Sequence, residues 1–433
     1  MHTEKLYRLF LDSSGVCTDS RRAREGQIFF SVKGERFNGN KFAGQAIEAG
    51  CRYAVVDEDN YAVNESFIKV EDALRSLQEI AGIHRKRFEI PLIAITGSNG
   101  KTTTKELAAA VLSQKYKIHA TSGNLNNHVG LPLTLLDLDS SHEMAVLEIG
   151  ANHPGEVDLL CRLSRPTHGL ITNIGAAHLE GFGSLEGVKR AKSELYAYLC
   201  ENGGTGFVNA ENDILSDLHE RYPFNAVFYG TGEDHFMCGR IKDFAPFLTM
   251  VISGRSVSGK EVVHTRLTGR YNSENITAAA CIGRNFGVSQ DLVKEALEMY
   301  TPRNNRSQIT ETASNRLFLD SYNANPVSMK LAINEFAGME GGRKWLILGD
   351  MLELGNYSRE EHIAILELLK ELSFNNVLLV GENFMLHKDL YPFKFFKTTA
   401  ELNLWLRTNK PENAFILVKG SRGIRLEDSV PLL

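Results

Sequence analysis

A glycine-rich loop followed by a lysine and two threonines is the part of this chain best suited to chemistry. It lies in ITGSNGKTTT, between the apolar run LIAIT and a helical pattern that begins near Lys101. Glycines let a backbone approach phosphate oxygens, and the free N–H groups of a helix N-terminus attract anions. The lysine of such a loop can bridge two phosphates, and the next threonine can bind Mg²⁺. The residues concerned are Gly97, Ser98, Asn99, Gly100, Lys101, Thr102 and Thr103.

This loop departs from the full phosphate-binding pattern at its first position. The pattern begins with a glycine where this chain has Ile95, so the loop starts later, at Gly97. The missing glycine shortens the loop but does not remove the backbone amides that surround a phosphate. A plain strand-to-helix turn without a ligand is the alternative. The run from Lys101 to Thr103 favours a nucleotide phosphate site.

A carboxylate and an imidazole follow two other apolar runs that are typical of buried strands. Glu148 lies in VLEIG, and His178 follows TNIG. Ligands of open parallel sheets bind at the carboxyl ends of the strands, so both side chains can lie beside the loop. Both types are ligands of divalent cations. Considered alone, a solvated glutamate and a hydrogen-bonded histidine are simpler explanations, but beside a phosphate loop a metal site is favoured.

Four further polar residues have local explanations when they are considered alone. Lys192 lies in a helical pattern, where most lysines are solvated. Asn272 and Asn275 lie near a predicted helix start and could cap it. Asp320 ends a strand pattern before a turn, where aspartate is common for local reasons. Their spacing alone therefore does not assign them to a nucleotide site.

The order of predicted elements indicates an α/β protein. A helix is predicted over about 71–86, and then strand patterns such as LIAIT and HGLITNI alternate with helix patterns such as LEGVKRAKSELYAYL. Such alternation predicts a parallel sheet with helices on both faces. Residues 225–268 are more β-like, and a helix pair is predicted over about 274–299. A second alternation, from RLFLDSY to AFILVKGS, predicts a smaller α/β domain.

The totals set limits on organisation and partners. The 433 residues predict about three domains, with boundaries near 88 and 303 that give 1–88, 89–303 and 304–433. A net charge of −5 without a long basic run argues against a nucleic-acid surface. No apolar stretch is long enough to span a membrane, and the N-terminus lacks a signal core. We therefore expect a cytoplasmic protein without nucleic-acid or membrane partners, and the absence of a heptad run predicts a monomer.

A series of motifs occurs in order across most of the chain. They are ITGSNGKTTT, GNLNNHVGLPLTLL, EIGANHPGEV, TNIGAAHLEGFGS, AKSEL, DSYNANPVSM, LGDMLELG and VKGSR. Together they resemble the motifs of the Mur ligases, the ATP-dependent amide-forming ligases of peptidoglycan synthesis. GNLNNHVG, SYNANP, GDMLELG and VKGSR are similar to the branch that adds D-alanyl-D-alanine to UDP-N-acetylmuramoyl-tripeptide. The segment that begins with TDSRRAREGQ resembles the family's UDP-substrate domain.

The resemblance implies an architecture, cofactors and a role for individual residues. It implies an N-terminal mixed α/β domain for the UDP end of the substrate, a central phosphate-loop domain, and a C-terminal domain with a dinucleotide-fold-like sheet that closes over ATP and the acceptor. It implies ATP and Mg²⁺, with Glu148 and His178 at the metal and Lys192 carbamylated. The implied ATP-binding residues outside the loop are Asn272, Asn275, Arg306 and Asp320. The implied substrate residues are Ser20, Arg21, Asn126, Asn127, Lys419, Ser421 and Arg422.

The implied reaction activates the tripeptide carboxylate as an acyl phosphate, which the amine of D-alanyl-D-alanine then attacks. Water must be excluded from such an intermediate, so hinged domain closure is expected. A sister ligase that uses diaminopimelate, lysine or glutamate is a rival hypothesis, which GDMLELG and SYNANP disfavour. A regulatory nucleotide-binding module without turnover is a second, which the metal and phosphate residues disfavour. The third residue of the tripeptide and the state of Lys192 stay open.

Overall fold

The computed structural model describes residues 3–34, 37–244, 246–302 and 306–433. Three α/β regions, each with its own sheet, follow one another along the chain, so the predicted fold class is confirmed. The boundary predicted at 303 and 304 lies outside the described residues. The boundary near 88 lies between the last helix of the first region and the first strand of the second. Within the described ranges, none of the helices combines the length and the hydropathy that a membrane span requires.

The N-terminal region is built on a small parallel sheet. Its strands are β1 Val16–Cys17, β2 Ile28–Phe30, β3 Lys33–Gly34, β4 Phe37–Asn38, β5 Tyr53–Val56 and β6 Phe67–Lys69, and its helices are α1 Thr3–Leu11, α2 Ala43–Glu48 and α3 Ala73–Arg85. The sheet has the order β1-β2-β5-β6, and β3 pairs with β4 in the antiparallel direction. Asp72 caps α3 by accepting a hydrogen bond from the Arg75 amide. Leu77 and Ile80 of α3 pack into an apolar core shared with the central region, which joins the two regions.

The central region contains the largest sheet. Its strands are β7 Leu92–Thr96, β8 Ile118–Ala120, β9 Met144–Glu148, β10 His168–Ile171, β11 Thr205–Asn209, β12 Asn225–Gly230, β13 Met237–Asp243, β14 Thr249–Ser253 and β15 Glu261–His264. Its helices are α4 Lys101–Leu112, α5 Gly130–Leu136, α6 Glu156–Ser164, α7 Leu179–Phe182, α8 Leu185–Asn202, α9 Asp213–Arg221, α10 Asn272–Asn285 and α11 Gln290–Met299. The strand order is β15-β14-β13-β12-β11-β10-β7-β9-β8. The pairs from β8 to β13 are parallel, and β14 and β15 add an antiparallel edge.

Helices cover both faces of this sheet, as the alternation predicts. Leu92 and Ala94 of β7 face one apolar core, and Ile93 and Ile95 face the other. A strand that is buried on both faces needs apolar side chains at every position, which explains the continuous run LIAIT. The antiparallel edge in the less regular stretch 225–268 was not predicted, because its strands lie outside the alternation with helices.

The C-terminal region has a second, smaller sheet. Its strands are β16 Gln308–Glu311, β17 Asn315–Leu319, β18 Arg343–Gly349, β19 Val377–Val380, β20 Lys394–Phe396 and β21 Ala414–Lys419, and its helices are α12 Pro326–Gly338, α13 Ser358–Glu371, α14 Glu382–Met385 and α15 Thr399–Leu406. The order is β16-β17-β21-β18-β19-β20, parallel except for the β16–β17 pair. Asn325 begins α12 with a reciprocal capping box to Ser328, and Pro326 occupies the first helical position.

Candidate active site

A cleft of about 1030 Å³ lies between the central and C-terminal regions. The phosphate loop and the ends of β9 and β10 form its central wall. Segments that follow β17, β18 and β21 form the opposite wall. Both sets of segments lie at the carboxyl ends of parallel strands, where open sheets bind ligands. Residues predicted from distant parts of the sequence therefore meet at one place.

The phosphate loop needs glycine at two positions. Gly97 has φ +140°, and a Cβ there would lie 2.0 Å from Thr172 Oγ1. Gly100 has φ +79°, and a Cβ there would lie 2.6 Å from Asn275 Oδ1. Both positive φ values are poorly tolerated by other residues. Helix α4 begins directly after Gly100, so its first N–H groups face the cleft, as a phosphate site requires.

Lys101 folds back onto its own loop. Its Nζ donates to the carbonyl oxygens of Gly97 at 2.7 Å and Ser98 at 3.1 Å. Burial lowers the pKa of Lys101; the charge of Glu148 opposes this change, and that of Arg306 adds to it. The carbonyls hold the amine in the loop, and phosphate oxygens at the same place would offer it stronger, charged acceptors.

Glu148 is buried, and both of its oxygens are engaged. Oε2 accepts from Thr102 Oγ1 at 2.6 Å, and Oε1 accepts from Asn126 Nδ2 at 2.7 Å. A hydroxyl and a carboxylate therefore stand together beside the loop, a donor set that suits Mg²⁺ bound with substrate phosphates. Among the described residues no group of three or more His, Cys, Asp or Glu side chains could hold a metal alone. A cation here would need ligands from a nucleotide.

His178 and Glu353 bring the two walls of the cleft into contact. Nδ1 of His178, from the central region, forms a hydrogen bond with Oε2 of Glu353, from the C-terminal region. This hydrogen bond lowers the pKa of Glu353, and partial burial opposes it. Both residues line the cleft. The contact joins a predicted metal residue to a residue that was not singled out from the sequence.

Lys192 is not the solvated lysine that its helical pattern alone suggests. Its side chain is buried below the cleft wall, and within the described part of the chain Nζ reaches the Ala151 carbonyl, at 3.4 Å, and the face of the Phe182 ring. Burial lowers the pKa of Lys192 to about 7, and the nearby charge of Lys101 adds to the shift. Lys192 does not line the cleft itself. An amine that is partly neutral near pH 7 is nucleophilic, unlike an ordinary lysine.

Asn272 and Asn275 connect α10 to the phosphate loop. Asn275 Nδ2 donates to Asn272 Oδ1 at 2.8 Å, and Asn275 Oδ1 accepts from Thr104 Oγ1 at 3.0 Å. Tyr271 holds the N-cap position without a side-chain hydrogen bond, so neither asparagine caps the helix. Both line the cleft beside Gly100, where the resemblance implies a nucleotide.

The buried Lys419 pairs with the partly buried Asp320 in the C-terminal wall. Lys419 Nζ donates to Asp320 Oδ2 at 2.5 Å and to the Asn323 carbonyl at 3.3 Å. Asp320 Oδ1 accepts from the Ser307 amide at 3.0 Å. Lys419 therefore braces the loop after β17 instead of extending into open space.

Ser421 and Arg422 lie in the same wall but differ in their exposure. Ser421 is buried, donates to the Ala324 carbonyl at 3.2 Å and accepts from the Leu352 amide at 2.9 Å. Arg422 is exposed, and its Nη1 donates to the Tyr322 hydroxyl at 3.2 Å. Arg306 stacks on the same Tyr322 ring, with Cζ 3.6 Å from the ring centroid. Of the C-terminal motif, only Arg422 presents a free charge to the cleft.

The remaining predicted substrate residues lie in two places. Asn127 lines the cleft and accepts hydrogen bonds from the Val129 and Gly130 amides at 3.2 and 2.8 Å. Ser20 and Arg21 lie in the N-terminal region and do not line this cleft. Arg21 pairs with Asp19 at 2.8 Å on the surface. Their predicted contact with a UDP substrate stays a prediction.

The structure adds contacts that motif reading did not identify. Asn325 Nδ2 donates to Asn99 Oδ1 at 2.8 Å, and Asn173 Oδ1 accepts from the Asn99 amide at 3.0 Å. Asn325 lies in SYNANP and Asn173 in TNIG, so the motifs contained the signal. Their partners lie far away in the sequence, and no local pattern identifies them.

Comparison with known proteins gives a consistent result over the whole chain. The description "Mur ligase family, catalytic domain" matches residues 12–85, "Mur ligase middle domain" matches 95–283, and "Mur ligase, glutamate ligase domain" matches 305–422. A solved structure of MurF from Acinetobacter baumannii has a TM-score of 0.86 and 30% identity, covering 99% of this chain and 97% of that chain. MurF ligase from Thermotoga maritima in complex with ADP has a TM-score of 0.84 and 25% identity, covering 98% and 97%.

Relatives from several bacteria, among them the following two, carry the name UDP-N-acetylmuramoyl-tripeptide–D-alanyl-D-alanine ligase. The Bacillus subtilis protein is 35% identical, covering 96% of this chain and 92% of its own length. The Escherichia coli protein is 36% identical, covering 96% and 93%. Similarity of this extent, with the loop, the cleft and the three-sheet architecture already described, shows that the chain belongs to the Mur ligase family.

Proposed function

We propose that this chain is an ATP-dependent ligase that joins D-alanyl-D-alanine to UDP-N-acetylmuramoyl-tripeptide in the synthesis of a peptidoglycan precursor. One observation carries the proposal. The phosphate loop, with Lys101, Thr102 and Glu148, faces the C-terminal wall across a single cleft. The relatives named for this reaction align with nearly the whole chain, and a related structure contains ADP.

In the first step the tripeptide carboxylate attacks the γ-phosphorus of ATP. The bond between that phosphorus and the β–γ bridging oxygen breaks, and ADP leaves with the electron pair. Lys101 exchanges the carbonyls of Gly97 and Ser98 for phosphate oxygens and balances their charge. The backbone N–H groups at the start of α4 hold the same phosphates. The product is an acyl phosphate.

In the second step the amine of the dipeptide attacks the acyl carbon. A tetrahedral intermediate forms, and its nitrogen passes a proton to the phosphate group, which leaves as hydrogen phosphate with the electron pair of the broken C–O bond, so that an amide is formed. No covalent enzyme intermediate is needed, so this chain contributes by orienting substrates and excluding water. The Asn99–Asn325 hydrogen bond supports this role because it joins the two walls beside the phosphate loop.

Mg²⁺ fits the residues beside the loop. Thr102 and Glu148 would hold it, with His178 as the predicted third residue and phosphates completing its ligands. Bound there, the cation would neutralise charge on the phosphates during transfer. The free lone pairs of a hydroxyl and a carboxylate support this assignment on chemical grounds.

Lys192 is proposed to carry a carbamate. Its neutral amine would add to CO₂, forming an N–C bond and releasing one proton, and the product would be an anion. The support is its burial, its lack of a carboxylate partner among the described residues and its lowered pKa. A carbamate here would place negative charge near Glu148 and help to hold the cation.

Arg422 is proposed to bind the carboxylate of the dipeptide acceptor. It is exposed at the cleft, and a guanidinium can bind a carboxylate through two parallel hydrogen bonds. Lys419 and Ser421 are proposed to hold the wall that carries it. The UDP end is assigned to the N-terminal region, through Ser20 and Arg21, and the working form is proposed to be a monomer.

Phosphate release from ATP and Mg²⁺ with UDP-N-acetylmuramoyl-tripeptide tests the proposal. The acceptors to compare are D-alanyl-D-alanine, D-alanine, diaminopimelate, lysine and glutamate. We expect release only with D-alanyl-D-alanine, and a product heavier by that dipeptide. Release with another acceptor would assign the chain to a sister step. ATP binding without release under any condition would instead favour a regulatory module.

A further inference from the structure

The contact between His178 and Glu353 is a feature that the reaction described above does not use. It joins the loop after β10 to the loop after β18, which belong to different sheets. The side-chain hydrogen bond is accompanied by a backbone one, from the Glu180 amide to the Glu353 carbonyl at 3.1 Å. Gly355 lies against the same segment, since a Cβ there would be 3.4 Å from Glu180 Cα. The two loops therefore form a continuous interface.

Both partners hold an unusual backbone conformation at this interface. His178 has φ +52° and Glu353 has φ +63°, in the left-handed region that side chains other than glycine rarely adopt. Such conformations cost free energy and persist where surrounding contacts determine them. A hydrogen bond between two strained residues on separate regions is therefore a specific arrangement, and it forms at the cleft surface, where the Glu353 side chain is 52% exposed.

The direction of this hydrogen bond determines which ring nitrogen is free. An ionised carboxylate can only accept, so Nδ1 of His178 must be the donor. The neutral ring then carries its proton on Nδ1 and a lone pair on Nε2. Among the described residues Nε2 has no hydrogen-bond partner, and the side chain lines the cleft. Histidines that bind metals are commonly held in this way by a carboxylate on the other nitrogen.

We propose that Glu353 is a positioning residue: when the C-terminal region docks, its carboxylate holds His178 with Nε2 directed at the nucleotide and metal cleft. The inference rests on the proposed function, because Nε2 needs a ligand there for the arrangement to matter. It couples docking of the C-terminal wall to completion of the site on the central wall. The Asn99–Asn325 hydrogen bond marks the same docking at the phosphate loop.

The first test determines which ring nitrogen of His178 carries the proton. The full chain is labelled with ¹⁵N-histidine, and the signal of His178 is identified by its absence in His178→Ala. We expect Nδ1 to be protonated and Nε2 unprotonated in the unmodified chain and in Glu353→Gln, whose amide oxygen still accepts. In Glu353→Ala the ring should become a mixture of both tautomers. Glu382→Ala is the matched control, since it removes an exposed glutamate paired with Lys397 at 3.3 Å in the same region.

The second test measures whether Glu353 affects the Mg²⁺ dependence of ligation through His178. Glu353→Ala should raise the Mg²⁺ concentration for half-maximal ligation by about 10- to 100-fold, the usual effect of losing a carboxylate behind a metal-bound histidine. Glu353→Gln should recover most of the loss, and Glu382→Ala should show none. The double variant with His178→Ala should be no worse than His178→Ala alone, because Glu353 acts through that ring.

Two results would overturn the inference. One is an unchanged His178 tautomer in Glu353→Ala, whatever the activity. The other is additive losses in the double variant, which would mean that Glu353 acts independently of His178. Failure of the proposed function would look different. The unmodified chain would then show no acceptor-dependent phosphate release, while the tautomer change in Glu353→Ala would still report the contact.

Discussion

Two buried lysines of this protein have the same exposure and opposite surroundings. Lys192 in the central region and Lys419 in the C-terminal region are each 2% exposed. Lys419 has a carboxylate, Asp320, at 2.5 Å and two backbone carbonyls within reach. Among the residues that the structure describes, Lys192 has one carbonyl at 3.4 Å and an aromatic face. A buried ammonium needs a partner, so the paired lysine serves structure and the unpaired one is available for chemistry.

A third lysine, Lys101, should show the largest loss of turnover when it is substituted. Lys101→Ala removes the cation that faces the phosphates, so we expect turnover to fall by about 10²- to 10³-fold or more, the effect of losing one charge-stabilising donor. The fold should stay intact, because the hydrogen bonds that Lys101 Nζ makes to described residues are to its own loop. Phosphate release and circular dichroism measure the two effects. Near-normal activity in the folded variant would refute the phosphate-loop assignment.

Lys192→Met tests the unpaired side of the comparison. We expect turnover to fall by about 100-fold, the upper range for a group that acts behind a metal. The thermal midpoint should stay the same or rise, because an apolar side chain of similar length replaces an unpaired buried amine. A ligase assay and thermal unfolding on the same sample measure both. A variant that is inactive and also much less stable would mean that Lys192 is a structural residue.

Lys419→Met, unlike Lys192→Met, should lower the stability of the protein. It leaves Asp320 without its partner, and we expect a loss of about 3 kcal/mol in the free energy of unfolding, the lower end for breaking a buried pair. Asp320 keeps 16% of its side-chain exposure, which limits the cost. Denaturant unfolding measures the change. Unchanged stability would show that the pair does not stabilise the C-terminal wall. Lys419 would then again be a candidate for binding the dipeptide acceptor.

Carbon dioxide should distinguish the two lysines under mild conditions. Carbamate formation needs a neutral amine, and the pKa of Lys192 is lowered to about 7, so the neutral form predominates above that pH and is the minority form below it. Removing CO₂ should lower turnover several-fold at pH 8, and bicarbonate should restore it. Below pH 6 recovery should be about tenfold slower, since the neutral fraction is smaller. Recovery that is independent of pH would contradict carbamylation.

Local patterns allowed much of the fold and one wall of the site to be predicted. The strand–loop–helix geometry around Gly97 and Gly100 was predictable because strand, glycines, lysine and helix start are contiguous in the sequence. The alternation after it predicted the two-sided sheet, and the helix predicted over about 71–86 is observed as α3, Ala73–Arg85. The motif resemblance supplied the family, which local physics alone could not.

Long-range pairing explains what was not predictable. The burial of Lys192 depends on how α8 packs against the segment after β9, and helix periodicity does not report that. Asn126 is a predicted substrate residue, and its hydrogen bond to Glu148 could not be predicted from its local sequence. The partners Glu353 and His178 lie in different regions, so only the docked arrangement brings them together. The role of each site residue therefore depends on its contacts in the folded chain and not on its local sequence alone.

The most direct test of acyl-phosphate formation traces the oxygen atoms of the substrate carboxylate. UDP-N-acetylmuramoyl-tripeptide labelled with ¹⁸O in its terminal carboxylate is incubated with ATP, Mg²⁺ and D-alanyl-D-alanine, and the released phosphate is analysed by mass spectrometry. If the carboxylate attacks the γ-phosphorus, one ¹⁸O atom is transferred to each phosphate, and the amide keeps the other. Unlabelled phosphate, with the dipeptide nevertheless joined, would contradict activation through an acyl phosphate.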